Sequence, residues 1–540
     1  MDGLRKLAVA AIVVLAGPSL FSQAGVVGTD SGKVQGVTQG AVESFKGVPF
    51  AAPPVGDLRW RAPQPVKAWG GVRRADAYSA DCMQVPFPSD AAPLGTKPAE
   101  DCLYLNVWRP AGTKPDAKLP VMFWIYGGGF VNGGSSPAVY DGSKFADKGI
   151  VFVSANYRLG RFGFFAFPEL TKENADDMVG NYGFMDQIAA LKWVQRNIST
   201  FGGDPSNVTV FGESAGGFSV SMLLTSPLSK GLFSRAIIES GGGRTNLGGP
   251  RYLNTALPNG PASAESVGEE FARGMGIDGT GEEALAALRG LSAEKVLGNL
   301  NMATMNQPGY CGPMIDGQVV VTDPQSAYLA GAGWHVPLMI GTNSMDIGFG
   351  FARSKEELFA PFGPNREKAM AAYDPTGKGD LRMVQYMVSM DRFMVEPARF
   401  VASVFASEGV PTYEYRFSYV AQSMRSKWPG APHATEIPFV FDTVQAKYGK
   451  DLAPEDEKMA EAMLNYWAAF AKTGDPSTGN SPAWPRYSPE TDRLMNFSAE
   501  GEPVAEADPF KARLDVTAAY VSSAAPPAMP KAPARHQGGR

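Results

Sequence analysis

Histidine and cysteine are scarce, three of each in 540 residues. His335, His433 and His536 stand far apart, as do Cys82, Cys102 and Cys311, so none of the paired ligand spacings of zinc sites occurs and no metal is expected. A basic patch is also missing. Forty-nine Lys and Arg face 54 Asp and Glu, dispersed to a net charge of -5, which argues against nucleic acid or an anionic membrane as partner. Long apolar runs are absent: the stretch Leu7 to Ala16 is too short to span a bilayer, and no integral membrane segment is expected in the mature chain. With Arg5 and Lys6 before it and Pro18, Ser22 and Ala24 after it, that stretch reads as a cleavable export signal over residues 1–24. The mature protein is therefore expected in the periplasm or outside the cell.

What is present is apolar bulk, 44% hydrophobic, with no composition break in mid-chain and no internal repeat. Buried-strand runs (VMFWI, IVFVS, VTVFG, AIIES, PLMIG) alternate with helical stretches such as MDQIAALKWVQRNI, predicting an α/β fold with a mainly parallel sheet covered by helices. One domain is expected over 25–521, with helical insertions near 262–330 and 353–405 roofing a site. Residues 522–540 form a Pro/Ala-rich basic tail too poor in apolar residues to fold.

The most informative segment is FGESAGG, residues 211–217, between the β-type run 207–210 and the helix-compatible FSVSMLL. G-x-S-x-G between strand and helix is a nucleophile elbow: Gly212 and Gly216 allow a turn sharp enough to present the Ser214 hydroxyl. A serine needs a base. His536 lies in the unfoldable tail and His335 precedes an apolar strand, which favours a structural role. His433, in the Pro/Gly-broken loop WPGAPHATEIPFVF, is the remaining candidate. The acid should fall between nucleophile and histidine. Asp346 is favoured because it follows the strand-like VPLMI at the edge where ligands collect in open α/β sheets; Asp316, before Gly317, is the competitor and reads equally as a turn former. For the oxyanion, the strand-like 119–126 runs into Gly127, Gly128 and Gly129, whose bare amides can approach a substrate, and the amide of Ala215 opens a helix.

FKGVPFAAPPVGDLRWRAPQP, EDCLYLNVW, WIYGGGF, NYRLGRFGF, GNYGFMDQIAALKWVQRNISTFGGDP, GESAGG, GTNSMD and HATEIPFVF together resemble the carboxylesterase type B family, over roughly residues 30–500. The resemblance implies an α/β-hydrolase fold and a cofactor-free carboxylic ester hydrolase acting on small-molecule esters. It implies Ser214, Asp346 and His433 as triad, Gly128, Gly129 and Ala215 as oxyanion donors, Ser240 and Glu213 as supporting groups, and a Cys82–Cys102 disulfide. Cys311 is left as a buried free thiol. Two departures stand out: Asp346 and Ile347 where the family usually has Glu then Gly, so the shorter acid must come closer to the histidine; and Ala434 where a glycine often follows the histidine. The 82–102 loop has no Trp to hold a quaternary ammonium and no amphipathic repeat for a lid, which disfavours choline esters and lipids. A bulky ester (mycotoxin, phthalate or aromatic) is the alternative substrate, compatible with Phe349, Phe351, Met370, Met383, Met387, Met390 and Met394 in the roof, though for any one of these residues ordinary core packing is the favoured reading. A non-catalytic adhesion protein is the alternative of another class; such relatives typically lose the nucleophile or the base, and both are present here.

Overall fold

The computed structural model describes residues 21–87, 92–173, 178–244, 250–258, 260–479 and 481–523. Their strands are β1 (Phe21–Gly28), β2 (Lys33–Gln39), β3 (Val42–Pro49), β4 (Val72–Arg74), β5 (Tyr104–Pro110), β6 (Leu119–Ile125), β7 (Val151–Ala155), β8 (Gly203–Glu213), β9 (Arg235–Glu239), β10 (Leu338–Asn343), β11 (Thr412–Phe417), β12 (Arg493–Phe497) and β13 (Pro503–Ala507). They form one mixed sheet in the order β1-β2-β3-β5-β7-β6-β8-β9-β10-β11-β12-β13, with β4 beside β2.

The middle of the sheet, from β7 to β12, is parallel, and both flanks are antiparallel apart from β4, which runs parallel to β2. Every residue of β7 and β10 is buried. That is why these strands read as continuous apolar runs: a strand covered by helices on both faces has no solvent side to mark with polar residues. Under the centre, Trp124, Phe152, Phe211 and Phe441 meet at ring separations of 4.8 to 6.1 Å, joining β6, β7 and β8 to the segment after His433. The strand order puts the carboxyl ends of β6, β8 and β10 on one edge, with β9 between β8 and β10.

Some expected boundaries move. Phe21 to Gln23, assigned to the export signal, already pair with Gln39 to Val37 of β2, so cleavage after Ala24 would leave a shortened β1. At the other end, Ser522 and Ser523, assigned to the tail, complete the helix Lys511–Ser523, and the rest of the tail lies outside the described residues. The roof from 353 to 405 is helical, whereas 262–330 is only partly so. After helices Ala264–Gly274, Glu282–Arg289 and Ala293–Leu297 the chain takes no regular helix or strand until Pro324–Leu329. Gly298, Gly309, Gly312 and Gly317 hold positive φ there, and Pro308 and Pro313 withhold amide donors, which prevents a continuous helix.

Candidate active site

Ser214 sits at φ 55°, ψ -121°, between β8 and the helix Ala215–Thr225. This is backbone geometry that an L-residue adopts at a cost of about 1–3 kcal/mol, and the surroundings enforce it. The Ser214 amide donates to the Glu239 carbonyl at 2.9 Å, and a Cβ on Gly216 would lie 2.0 Å from the Ile125 carbonyl oxygen. Gly212 is equally constrained, 2.6 Å from the Gly216 backbone. Strand and helix can pass this closely only with glycine at both positions.

Beside it, β6 ends in the glycine run. A Cβ on Gly127 would come within 2.9 Å of the Ser214 Cβ, so the loop lies against the candidate nucleophile. Gly128 and Gly129 have φ of 110° and 62°, and the amides of Val131 and Asn132 donate to the Gly128 carbonyl at 3.1 and 2.9 Å, turning the loop back. The amide of Ala215, in the first turn of its helix, has no intrahelical acceptor, which leaves it available to an anion. Gln84 and Asn132, neither singled out from sequence, fix this wall. The Gly133 amide donates to Gln84 Oε1 at 2.9 Å, while Asn132 Nδ2 donates to the Val85 carbonyl at 2.7 Å and its Oδ1 accepts from the Met302 amide at 3.0 Å. Gln84 follows Cys82, which is disulfide-bonded to Cys102.

Asp346 follows β10 and is fully buried. His433 Nδ1 lies 2.6 Å from its Oδ1, which also accepts the Ile347 amide at 2.8 Å; Oδ2 accepts the Ser240 hydroxyl at 2.6 Å and the Asn343 amide at 3.0 Å. The short acid reaches because the two loops are tied together. Met345 donates its amide to the Ala431 carbonyl at 2.9 Å, and Asn343 Nδ2 donates to the Pro432 carbonyl at 2.7 Å. Burial works to raise the Asp346 pKa, but the His433 charge and these hydrogen bonds outweigh it and hold the carboxyl below its ordinary value.

His433 faces a second carboxylate. Its Nε2 lies 3.2 Å from Glu213 Oε1, and among the described residues no hydrogen bond joins it to the Ser214 hydroxyl. Burial alone would lower the imidazole pKa, yet Glu213, Asp346 and Glu436 outweigh it and push it up to about 10. Glu436 is itself raised to about 7 by burial, against the pull of His433 and a hydrogen bond from Asn343. Glu239, buried and bonded to Trp467 Nε1 at 2.7 Å, is raised far above the carboxylate range by burial and by Glu436. Asn343 and Glu436 stand three residues from Asp346 and His433, in GTNSMD and HATEIPFVF, and Glu239 ends β9; the sequence does not single them out because their roles come from contacts between these segments, such as the bond from Asn343 to Glu436.

The other candidates lie elsewhere or do other work. Asp316 accepts the amides of Gln318 and Val319 at 2.6 and 2.7 Å and a bond from Asn181, the pattern of a turn former. His335 is not packed in a core: it is about half exposed and pairs with Glu408 at 3.0 Å. Cys311 is a free thiol at the cavity wall, bonded to the Phe164 carbonyl and pushed up to about 12 by burial. His536 lies outside the described residues.

Ser214, His433, Gly127 to Gly129 and Ala215 line one cavity of about 1350 Å³. Of the roof residues, Phe349, Phe351 and Met394 face it, while Met370 and Met387 pack on a small satellite core.

The carboxylesterase family model matches residues 23–371 and 364–515, almost the whole described chain. The chain belongs to the carboxylesterase family. It is a carboxylic ester hydrolase, and its substrates are small-molecule esters. A fumonisin B1 esterase of Sphingopyxis macrogoltabida is 36% identical over 494 residues, covering 87% of this chain and 86% of the relative. The para-nitrobenzyl esterase of Bacillus subtilis (strain 168) is 36% identical over 499 residues, covering 88% and 95%. A solved PNB esterase superposes with a TM-score of 0.77 at 34% identity, covering 91% of this chain and 99% of that one, which places this carboxylesterase in the α/β-hydrolase fold. Among its described residues no helix is long and apolar enough to cross a membrane.

Proposed function

We propose that this carboxylesterase works by a Ser214-His433-Asp346 triad through an acyl-enzyme. The observation that carries the reading is the 2.6 Å contact of His433 Nδ1 with buried Asp346, next to a strained serine at the same sheet edge. Asp346 fixes the tautomer, leaving Nε2 as the basic nitrogen. On substrate binding the ring tips from Glu213 toward Ser214; hydrogen bonds that are loose in a free enzyme commonly tighten in the complex. His433 takes the hydroxyl proton as Ser214 Oγ attacks the ester carbonyl, the amides of Gly128, Gly129 and Ala215 receive the oxyanion, and His433 returns the proton to the departing alcohol. Water then repeats the cycle and releases the acid. No cofactor is required.

Export to the periplasm or the medium is part of the reading, supported by the leader-like residues 1–24 and by a disulfide, which persists in oxidising compartments. A cavity of about 1350 Å³ exceeds the roughly 300–1,000 Å³ of common small-molecule sites, which favours bulky esters. The relative named for fumonisin B1 fits that preference. The test is hydrolysis of p-nitrophenyl esters from acetate to decanoate by the wild type and Ser214→Ala. Loss of at least about a thousandfold supports the reading; equal turnover by both proteins refutes it.

A further inference from the structure

Two arginines, Arg251 and Arg392, line the same cavity as Ser214. Arg251 donates Nε to the Cys311 carbonyl at 3.1 Å and Nη1 to the Ala262 carbonyl, and both acceptor residues line the same cavity. Carbonyl dipoles fix a guanidinium in place without neutralising it. Arg392 belongs to a single π-helical turn, Asp391–Val395, between the roof helices Leu381–Met390 and Glu396–Ser407. Such turns re-aim side chains and are frequent at functional sites.

The acids nearest to Arg392 in sequence are already engaged. Asp391 is held by Arg513 at 2.9 and 3.1 Å, and Glu396 by Arg244 at 2.7 and 2.8 Å. Arg392 instead lies against the Tyr520 and Phe393 rings, 4.7 and 5.9 Å from their centroids. Among the described residues neither Arg251 nor Arg392 forms an ion pair. The acids on the cavity wall are Glu213, which faces His433, and the exposed Glu270. Arg161 also lacks an acid, but it is packed inside the protein on three carbonyls and does not line the cavity.

We propose that Arg251 and Arg392 form an anionic subsite, so that the preferred esters carry a free carboxylate remote from the scissile bond. The proposal rests on the Ser214 reading and adds a substrate class to it. Half-buried guanidinium groups over an apolar wall attract a carboxylate more strongly than they would in bulk water, and planar guanidinium matches it bidentately. On this account the apolar cavity accepts the carbon chain and the two arginines select how it ends.

The experiment compares p-nitrophenyl hexanoate, octanoate and decanoate with the p-nitrophenyl half-esters of adipic, suberic and sebacic acid, which have the same chains ending in carboxylate. The quantity read is the kcat/KM ratio, half-ester over neutral ester, so that a folding defect cancels. The ratio is expected to be highest in the wild type, to fall about tenfold or more in the Arg251→Gln/Arg392→Gln double variant, mainly through KM, and to recover in part with lysine at both positions. A ratio equal in wild type and double variant overturns the subsite while leaving the Ser214 reading intact. Failure of the wild type to turn over either series overturns both.

Discussion

His433 Nε2 lies 3.2 Å from Glu213 Oε1, on the nitrogen opposite the one that contacts Asp346. The imidazole is held between two carboxylates, and its proton is correspondingly hard to remove. A general base acts in its neutral form, so a raised pKa delays activity to higher pH. The account predicts a kcat/KM profile that rises with pH along a limb above the ordinary imidazole value near 6.5. In Glu213→Gln one of the charges holding the proton is removed, and the limb should move to lower pH. An unchanged limb would mean that Glu213 does not govern His433.

Ser240 donates its hydroxyl to the Asp346 oxygen that His433 does not use. Removing it takes away one of the bonds that keep Asp346 ionised, so the Asp346 pKa rises. A hydrogen bond to a charged group is worth about 1.5–3 kcal/mol, so Ser240→Ala is expected to lower kcat about tenfold or more. Asp346→Asn, which also reverses the imidazole tautomer, should cost about ten-thousandfold. Steady-state kinetics on one p-nitrophenyl ester ranks the two; equal losses would contradict the distinct roles.

Ala434, immediately after His433, has φ 63°. A left-handed conformation costs a non-glycine residue about 1–2 kcal/mol, part of which a glycine returns as unfolded-chain entropy. Ala434→Gly should therefore stabilise the protein by about 0.5 kcal/mol or more in denaturant unfolding. A clear loss of stability would show that the methyl group packs better than the backbone suffers.

The Cys82–Cys102 bridge closes a loop with a sequence separation of 20, worth about 3 kcal/mol by chain entropy. Because Gln84 in that loop holds the glycine wall at Gly133, reduction should lower kcat as well as the unfolding midpoint. Reductant titration with parallel activity and thermal readouts checks this. A fall in stability with kcat unchanged would separate the loop from the oxyanion wall.

The parts of the site that sequence made legible are those where backbone geometry dictates residue type. Gly212 and Gly216 are required by contacts of 2.6 and 2.0 Å, and strands buried on both faces write themselves as apolar runs. Much of the rest depends on pairings between distant segments. Glu436 matters because it adds its charge to His433 and accepts from Asn343, and Arg392 is available because Asp391 is taken by Arg513 from the C-terminal helix. Local pattern does not encode such contacts. The wall between 298 and 323 lacks the expected helix for a local reason: Gly298, Gly309, Gly312 and Gly317 take positive φ, and Pro308 and Pro313 withhold amide donors.

An organophosphate examines the covalent step in one incubation. Diethyl p-nitrophenyl phosphate, mixed in slight excess with wild type and Ser214→Ala, reports both leaving-group release and the site of attachment. The triad account predicts one equivalent of p-nitrophenolate, loss of wild-type esterase activity, and a diethylphosphoryl group on the peptide containing Ser214, with neither release nor adduct in the variant. Full activity after exposure, or an adduct on another residue that forms equally in Ser214→Ala, would contradict it.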